Sequence, residues 1–132
     1  MIFIRDAHDE GVGADQNIIT ASEIARMKDE ARFLMAYSYF SLFELYGPFC
    51  IVTEIDDAAY PTINNYERAS VDECVKFIDD LLADVLSRNN LPESVISAKG
   101  GDDPSKDAFN YREVVRPTKI TARALRAKLW VY

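Results

Sequence analysis

Two pairs of adjacent carboxylates, Asp56-Asp57 and Asp102-Asp103, are the first residues whose type suits general acid–base work. Such work needs two carboxyls held in opposed positions with separated pKa values, and chain neighbours do not converge on one substrate atom by default. Solvated loop is the ordinary state of such a pair. Asp79, Asp80 and Asp84 recur on one predicted helix and read as its wet face. Calcium asks for alternating oxygen ligands around a glycine-bearing loop, which Asp102-Asp103-Pro104-Ser105 does not supply. His8 is the single histidine, so a histidine-based triad or zinc cluster lacks a second member. Gly11-Val12-Gly13 lacks the third glycine, the lysine and the preceding strand of a phosphate loop. Cys50 and Cys74 have neither metal nor redox spacing, and their positions leave open whether they pair. No catalytic residue, no metal site and no cofactor is expected.

The tyrosines suggest a different chemistry, that of binding. Tyr60 and Tyr66 flank Asn64 and Asn65 on one long connection, with Asp56 and Asp57 close by in sequence. A flat ring beside amide and carboxylate groups suits a sugar, which offers C–H faces and hydroxyl edges. Tyr60, Asn64, Asn65 and Tyr66 are therefore the candidate ligand-binding set. The plainer reading is that these rings pin the loop to its own scaffold. Tyr37, Tyr39, Tyr46 and Trp130 fall in apolar helical stretches and are expected in the core.

Three predicted helices must position these residues. The first runs from about Ser22 to Tyr46, opened by the capping-box pattern Thr20-Ala-Ser-Glu23 and closed by Gly47-Pro48. From Phe33 onward it is apolar nearly all round, which predicts a central helix covered by several neighbours. The second spans about Val71 to Arg88 behind another capping box, Ser70-Val-Asp-Glu73. Its Val71, Cys74, Val75, Ile78, Leu81, Leu82, Val85 and Leu86 recur at helical spacing and give it one buried face. The third begins near Thr118 after Pro117, with Ala122, Ala124, Leu125, Ala127 and Leu129 offering a small-residue surface. It is expected to run to the end of the chain. There Leu129-Trp130-Val131-Tyr132 carries no Gly, Asn or polar cap, and the chain reads as a fragment of a longer helical protein.

The connections are long for a helical array. Gly47 to Ala69 is 23 residues and Asn89 to Pro117 is 29, against about 2–8 for ordinary helix–helix links. The first holds Ile51-Val52-Thr53, a short β-like stretch, and the second is rich in Gly, Ser and Asp. Connections of this kind carry function or lack structure. No tandem repeat at a fixed short period is evident.

Composition narrows the class. The 132 residues make one domain's worth of chain, with 48% hydrophobic and 28% charged residues, which excludes a wholly disordered protein. No run approaches the roughly 20 apolar residues of a membrane span, and no signal peptide is visible. The formal net charge of −7 disfavours nucleic acid as a partner. Its distribution is uneven: residues 1–53, 54–111 and 112–132 carry −4, −8 and +5. An acidic middle precedes a basic end.

Three motifs in order resemble one family. Asp29-Glu-Ala-Arg-Phe-Leu-Met-Ala-Tyr-Ser-Tyr-Phe-Ser-Leu-Phe-Glu-Leu-Tyr-Gly-Pro48, with Ile51-Val52-Thr53-Glu54 after it, is similar to the first conserved helix and turn of the SusD/RagB family of Bacteroidetes. Arg68-Ala-Ser-Val-Asp-Glu-Cys-Val-Lys-Phe-Ile-Asp-Asp80-Leu81 looks like its second helix. Arg116-Pro-Thr-Lys-Ile-Thr-Ala-Arg-Ala-Leu-Arg-Ala-Lys-Leu-Trp-Val-Tyr132 looks like its third. Met35 stands where the family has Arg, Pro48 where it has Gly, and Thr121 where Ala is common. Residues 29–132 carry the resemblance, within a single helical segment, 1–132. The resemblance implies an all-α, tetratricopeptide-like antiparallel array, truncated. It implies a non-catalytic glycan-binding lipoprotein on the outer-membrane surface, serving a SusC-like TonB-dependent transporter. Membrane association would come through a lipid anchor not present in this chain. A peptide ligand, or a protein–protein interaction module with no nutrient ligand, are the alternatives. The family supplies no binding residue that maps onto this sequence position by position.

Overall fold

The computed structural model describes residues 19–52, 67–95 and 114–131, together with Ile4, Ala7 and Asp9. Helix α1 spans Ala21–Tyr46, α2 spans Val71–Arg88 and α3 spans Lys119–Leu129. Each opens on a capping box. Glu23 N–H donates to the Thr20 hydroxyl (3.3 Å) while Thr20 N–H donates to the Glu23 carboxylate (2.8 Å). Ser70 and Glu73 do the same at 3.3 and 2.7 Å. In α3 a threonine replaces the usual acid: Thr118 N–H donates to Thr121 Oγ1 (2.8 Å), and Thr121 N–H returns to Thr118 Oγ1 (3.3 Å). Two of the free amides at each helix start are thereby satisfied. Thr121, a departure from the family pattern, has a local purpose.

The helix ends differ. α1 stops at Gly47, whose φ of 73° admits no unstrained side chain and whose N–H donates to Phe43 O at 2.9 Å. α2 stops at Asn89, itself left-handed at φ 61° and ψ 21°. α3 closes at Leu129, with Trp130 and Val131 in a turn rather than in the continuing helix that the sequence predicts.

The core is one cluster drawn from all three helices. Ala36, Phe40 and Phe43 come from α1, Cys74, Ile78 and Leu82 from α2, and Ala122, Leu125 and Leu129 from α3, with Phe49 between them. Ala36, Cys74 and Ala122 are fully buried, and their small side chains let the helix axes approach. α2 is the middle layer: α1 and α3 both pack chiefly on it and meet each other only briefly. This corrects the expectation of a central first helix. α1 buries one face only, and Leu34, Tyr37, Leu42, Leu45 and Tyr46 on its other side are exposed. Hydrophobic residues around the whole circumference do not by themselves say which neighbours are present. Trp130, expected in the core, is 69% exposed. Ile51 and Val52 form no strand; the Val52 carbonyl instead accepts from the Tyr39 hydroxyl at 3.2 Å.

Candidate functional site

The candidate ligand residues Tyr60, Asn64, Asn65 and Tyr66, with Asp56 and Asp57, lie outside the described residues, as do Asp102 and Asp103. The structure does describe the bases from which both long connections spring. At the first base, Phe49 is driven into the core, 5% exposed, beside the start of α2. Its N–H donates to Cys74 Sγ (3.4 Å), and its carbonyl accepts from the Cys74 thiol (3.7 Å) and from Ala69 N–H (3.0 Å). Phe49 also stacks on Tyr39 at 4.9 Å between centroids, and Tyr39 meets Phe77 edge-on at 5.0 Å. Such aromatic pairs add about 0.5–1.5 kcal/mol beyond area burial. The Phe49 carbonyl and Ala69 amide thus pinch the two ends of the connection together.

The second base is pinched too. After α2 the chain buries Leu91, 2% exposed, and its next two carbonyls cap α3: Lys119 N–H donates to Pro92 O (2.9 Å) and Ile120 N–H to Glu93 O (3.2 Å). Glu93 also pairs with Arg123 and, at 3.8 Å, with Lys119, whose Nζ donates to Asn89 as well. The two bases sit at opposite ends of α2. Eighteen residues at 1.5 Å each put them about 27 Å apart.

A polar layer fixes the other end of α1. Asp29 is completely buried; its carboxylate accepts from Arg32 Nη1 (2.5 Å) and Asn90 Nδ2 (2.8 Å). Arg32 lies 3.9 Å from Asp84, Asp84 accepts from Arg88 Nε (2.9 Å), and Arg88 stands 4.0 Å from Asp29. Two acids and two arginines alternate around a ring joining α1 to the end of α2. Next to it, Glu30 accepts from Arg26 and from Arg116, each at 2.9 Å, tying α1 to the approach of α3. Lys28, 8% exposed, donates to Asp9 at 2.7 Å. Along the sequence the start of the first helix, with Arg26, Lys28, Asp29, Glu30 and Arg32, reads only as polar. The missed signal is the phase of Asp29, which stands in register with Phe33, Ala36, Phe40 and Phe43 on the core face.

Further ion pairs tie the helices together. Asp79 takes both Nε (2.6 Å) and Nη2 (3.0 Å) of Arg126 and accepts from the Trp130 indole at 3.1 Å. The Arg126 guanidinium, with the Trp130 N–H, holds the Asp79 carboxyl below its ordinary value. Glu93 is lowered by Arg123, and Glu23 and Glu73 by their capping bonds. Every carboxylate with a displaced pKa among the described residues moves downward, the direction that suits an anchor and not a general acid. The basic face of α3 is matched to acids: Arg123 to Glu93, Arg126 to Asp79 and Lys128 to Glu44. Basic side chains of α3 thus pair with acids of α1, α2 and the segment that follows α2. Among the described residues no helix is long and apolar enough to cross a membrane.

Comparison with known proteins agrees with this architecture. A SusD-like family model, described as starch-binding and associating with outer membrane, matches residues 13–110. A crystal structure of a SusD-like protein (BF3747) from Bacteroides fragilis NCTC 9343 superposes with a TM-score of 0.60 at 29% identity, over 86% of this chain and 19% of that one. The solved protein BT4246 gives 0.63 at 25% identity, over 92% of this chain and 17% of its own. The chain therefore spans less than a fifth of the length of either. No curated protein matches.

Proposed function

The chain belongs to the SusD-like family, and from that premise we propose that it is the helical part of a non-catalytic, cell-surface glycan-binding protein. The whole protein holds a starch-type glycan at the outer membrane and passes it to a SusC-like, TonB-dependent transporter. A lipid anchor outside this chain attaches it to the membrane. The observation that carries the reading is the family match across most of the chain, joined to three helices that, among the described residues, form a packed scaffold. The described part consists of capped helices, an apolar core and ion pairs between helices, and it pinches the bases of two long connections at opposite ends of α2. A scaffold of this kind presents a binding loop and has no need of a reactive group.

Within this segment the first connection makes the ligand contact, through Tyr60, Asn64, Asn65 and Tyr66. Its rings stack on sugar faces and its amides take hydroxyls. The test is calorimetric titration of the full-length protein with a malto-oligosaccharide. The wild type should bind without releasing shorter sugars. Tyr60→Ala combined with Tyr66→Ala should weaken binding by more than about 1 kcal/mol, the size of an aromatic contact. Hydrolysis abolished by a single Asp or Glu substitution would refute the non-catalytic reading. Unchanged affinity in the folded double variant would move the ligand site out of this connection.

A further inference from the structure

Cys50 and Cys74, the two cysteines of the chain, are separate thiols in this structure. Far apart in sequence, they are brought to one place by the fold. Cys74 lies near the start of α2 with no exposed surface. Its sulfur rests on the backbone of Phe49: it accepts from the Phe49 amide at 3.4 Å, and its thiol donates to the Phe49 carbonyl at 3.7 Å. That carbonyl belongs to the planar peptide unit whose nitrogen is that of Cys50, so the Cys50 Cα lies roughly 3 Å from its oxygen. The Cys74 sulfur therefore abuts the peptide bond that leads into Cys50. The place is fixed from both sides. Ala69 N–H donates to the same Phe49 carbonyl, and Cys74 N–H donates to Ser70 O, each at 3.0 Å. Cys50 itself is half-buried, on chain that is neither helix nor strand.

We propose that Cys50 and Cys74 are the two halves of an intramolecular disulfide that staples the start of the first connection to α2. Such a bond spans about 4.4–6.8 Å between Cα atoms. A sulfur already against the adjoining peptide unit reaches Cys50 by a side-chain rotation and a small shift of irregular backbone. The Phe49 carbonyl, which then loses the thiol as a donor, keeps Ala69 N–H. Burial sets the order of the chemistry with oxidised glutathione as the oxidant. The half-buried Cys50 reacts first: its thiolate attacks one glutathione sulfur, the glutathione S–S bond breaks, and one glutathione leaves as a thiolate that takes up a proton. The buried Cys74, on losing its proton, then attacks the Cys50 sulfur and expels the second glutathione. Two protein thiols are oxidised, and one oxidised glutathione is reduced to two thiols. The closed loop contains most of the first connection, and closing it restricts the unfolded chain. The inference rests on backbone geometry and stands apart from the ligand reading. The proposed surface location is an oxidising setting in which such a bond persists.

The test equilibrates the full-length protein with oxidised glutathione and maps its peptides by mass spectrometry without reduction. One linked peptide pair should join Cys50 to Cys74, lighter by two hydrogens than the two free peptides. Cys74→Ala should stop at the first step, with glutathione held on Cys50. Dithiothreitol should lower the melting midpoint of the oxidised wild type by about 2 °C or more and leave that of Cys50→Ser unchanged. Glutathione retained on Cys50 in the wild type, two unmodified thiols after oxidation, or either cysteine joined to a different partner would overturn the proposal. A linked pair whose reduction leaves the midpoint unmoved would overturn its role as a staple.

Discussion

Asp29 is the residue whose role the structure changes most. A carboxylate with no exposed surface, bonded to Arg32 and Asn90 and facing Arg88, sits where a hydrophobic residue would otherwise continue the core. Removing one member of such a pair leaves the partner's charge uncompensated, so Asp29→Ala should cost about 3 kcal/mol in urea denaturation. Asp29→Asn keeps the shape and one acceptor, and should cost less. Asp79 makes a different prediction. Its folded pKa is depressed, so it binds fewer protons folded than unfolded. Its contribution is present above the ordinary carboxylate value and is lost as pH falls through the lowered one. Arg126→Gln should therefore flatten the fall of the denaturation midpoint between about pH 5 and pH 2. An unchanged acid slope in that variant would mean that the Asp79–Arg126 pair contributes nothing.

At the scale of elements, the helices were legible and their arrangement was not. Thr20 with Glu23, Ser70 with Glu73, and Gly47 mark boundaries through local chemistry, and the structure ends and starts its helices there. Local chemistry says nothing about neighbours. The all-round apolarity of α1 suggested a central helix, yet its outer residues Leu34, Tyr37, Leu45 and Tyr46 are exposed. Trp130 misled for the same reason, since an apolar sequence context marks a residue fit for burial without supplying the surface that buries it. The buried Asp29 ring was hidden because its partners, Asp84, Arg88 and Asn90, come from another helix end. The two faces of α1 should behave differently in this chain. Phe40→Ala, at 1% exposure, should cost about 3–5 kcal/mol, whereas Leu45→Gln, at 75%, should stay within about 0.5 kcal/mol. Equal costs in chemical denaturation would contradict the one-faced packing of α1.

At the scale of the whole molecule, the two pinched bases separate scaffold from connection. Once Phe49 O holds Ala69 N–H, and Pro92 O and Glu93 O hold the start of α3, the helices keep their places whatever lies between. Loop closure entropy grows slowly with length, so a Gly/Ser linker of equal length in place of a connection changes stability little. The candidate residues were readable only as a composition, Tyr and Asn on one connection. Their placement could not be read, because nothing periodic governs that stretch. Position relative to α2 is what makes the two connections inequivalent: their bases stand about 27 Å apart, too far for one small sugar to touch both. In the full-length protein, replacing residues 54–66 with a Gly/Ser linker of equal length should therefore abolish malto-oligosaccharide binding and leave the melting midpoint within about 3 °C. The same replacement of residues 97–112 should leave both unchanged. If the second replacement also abolishes binding while the helices stay folded, the ligand must bridge both connections. The binding surface would then run along the length of α2 rather than sit at one end of it.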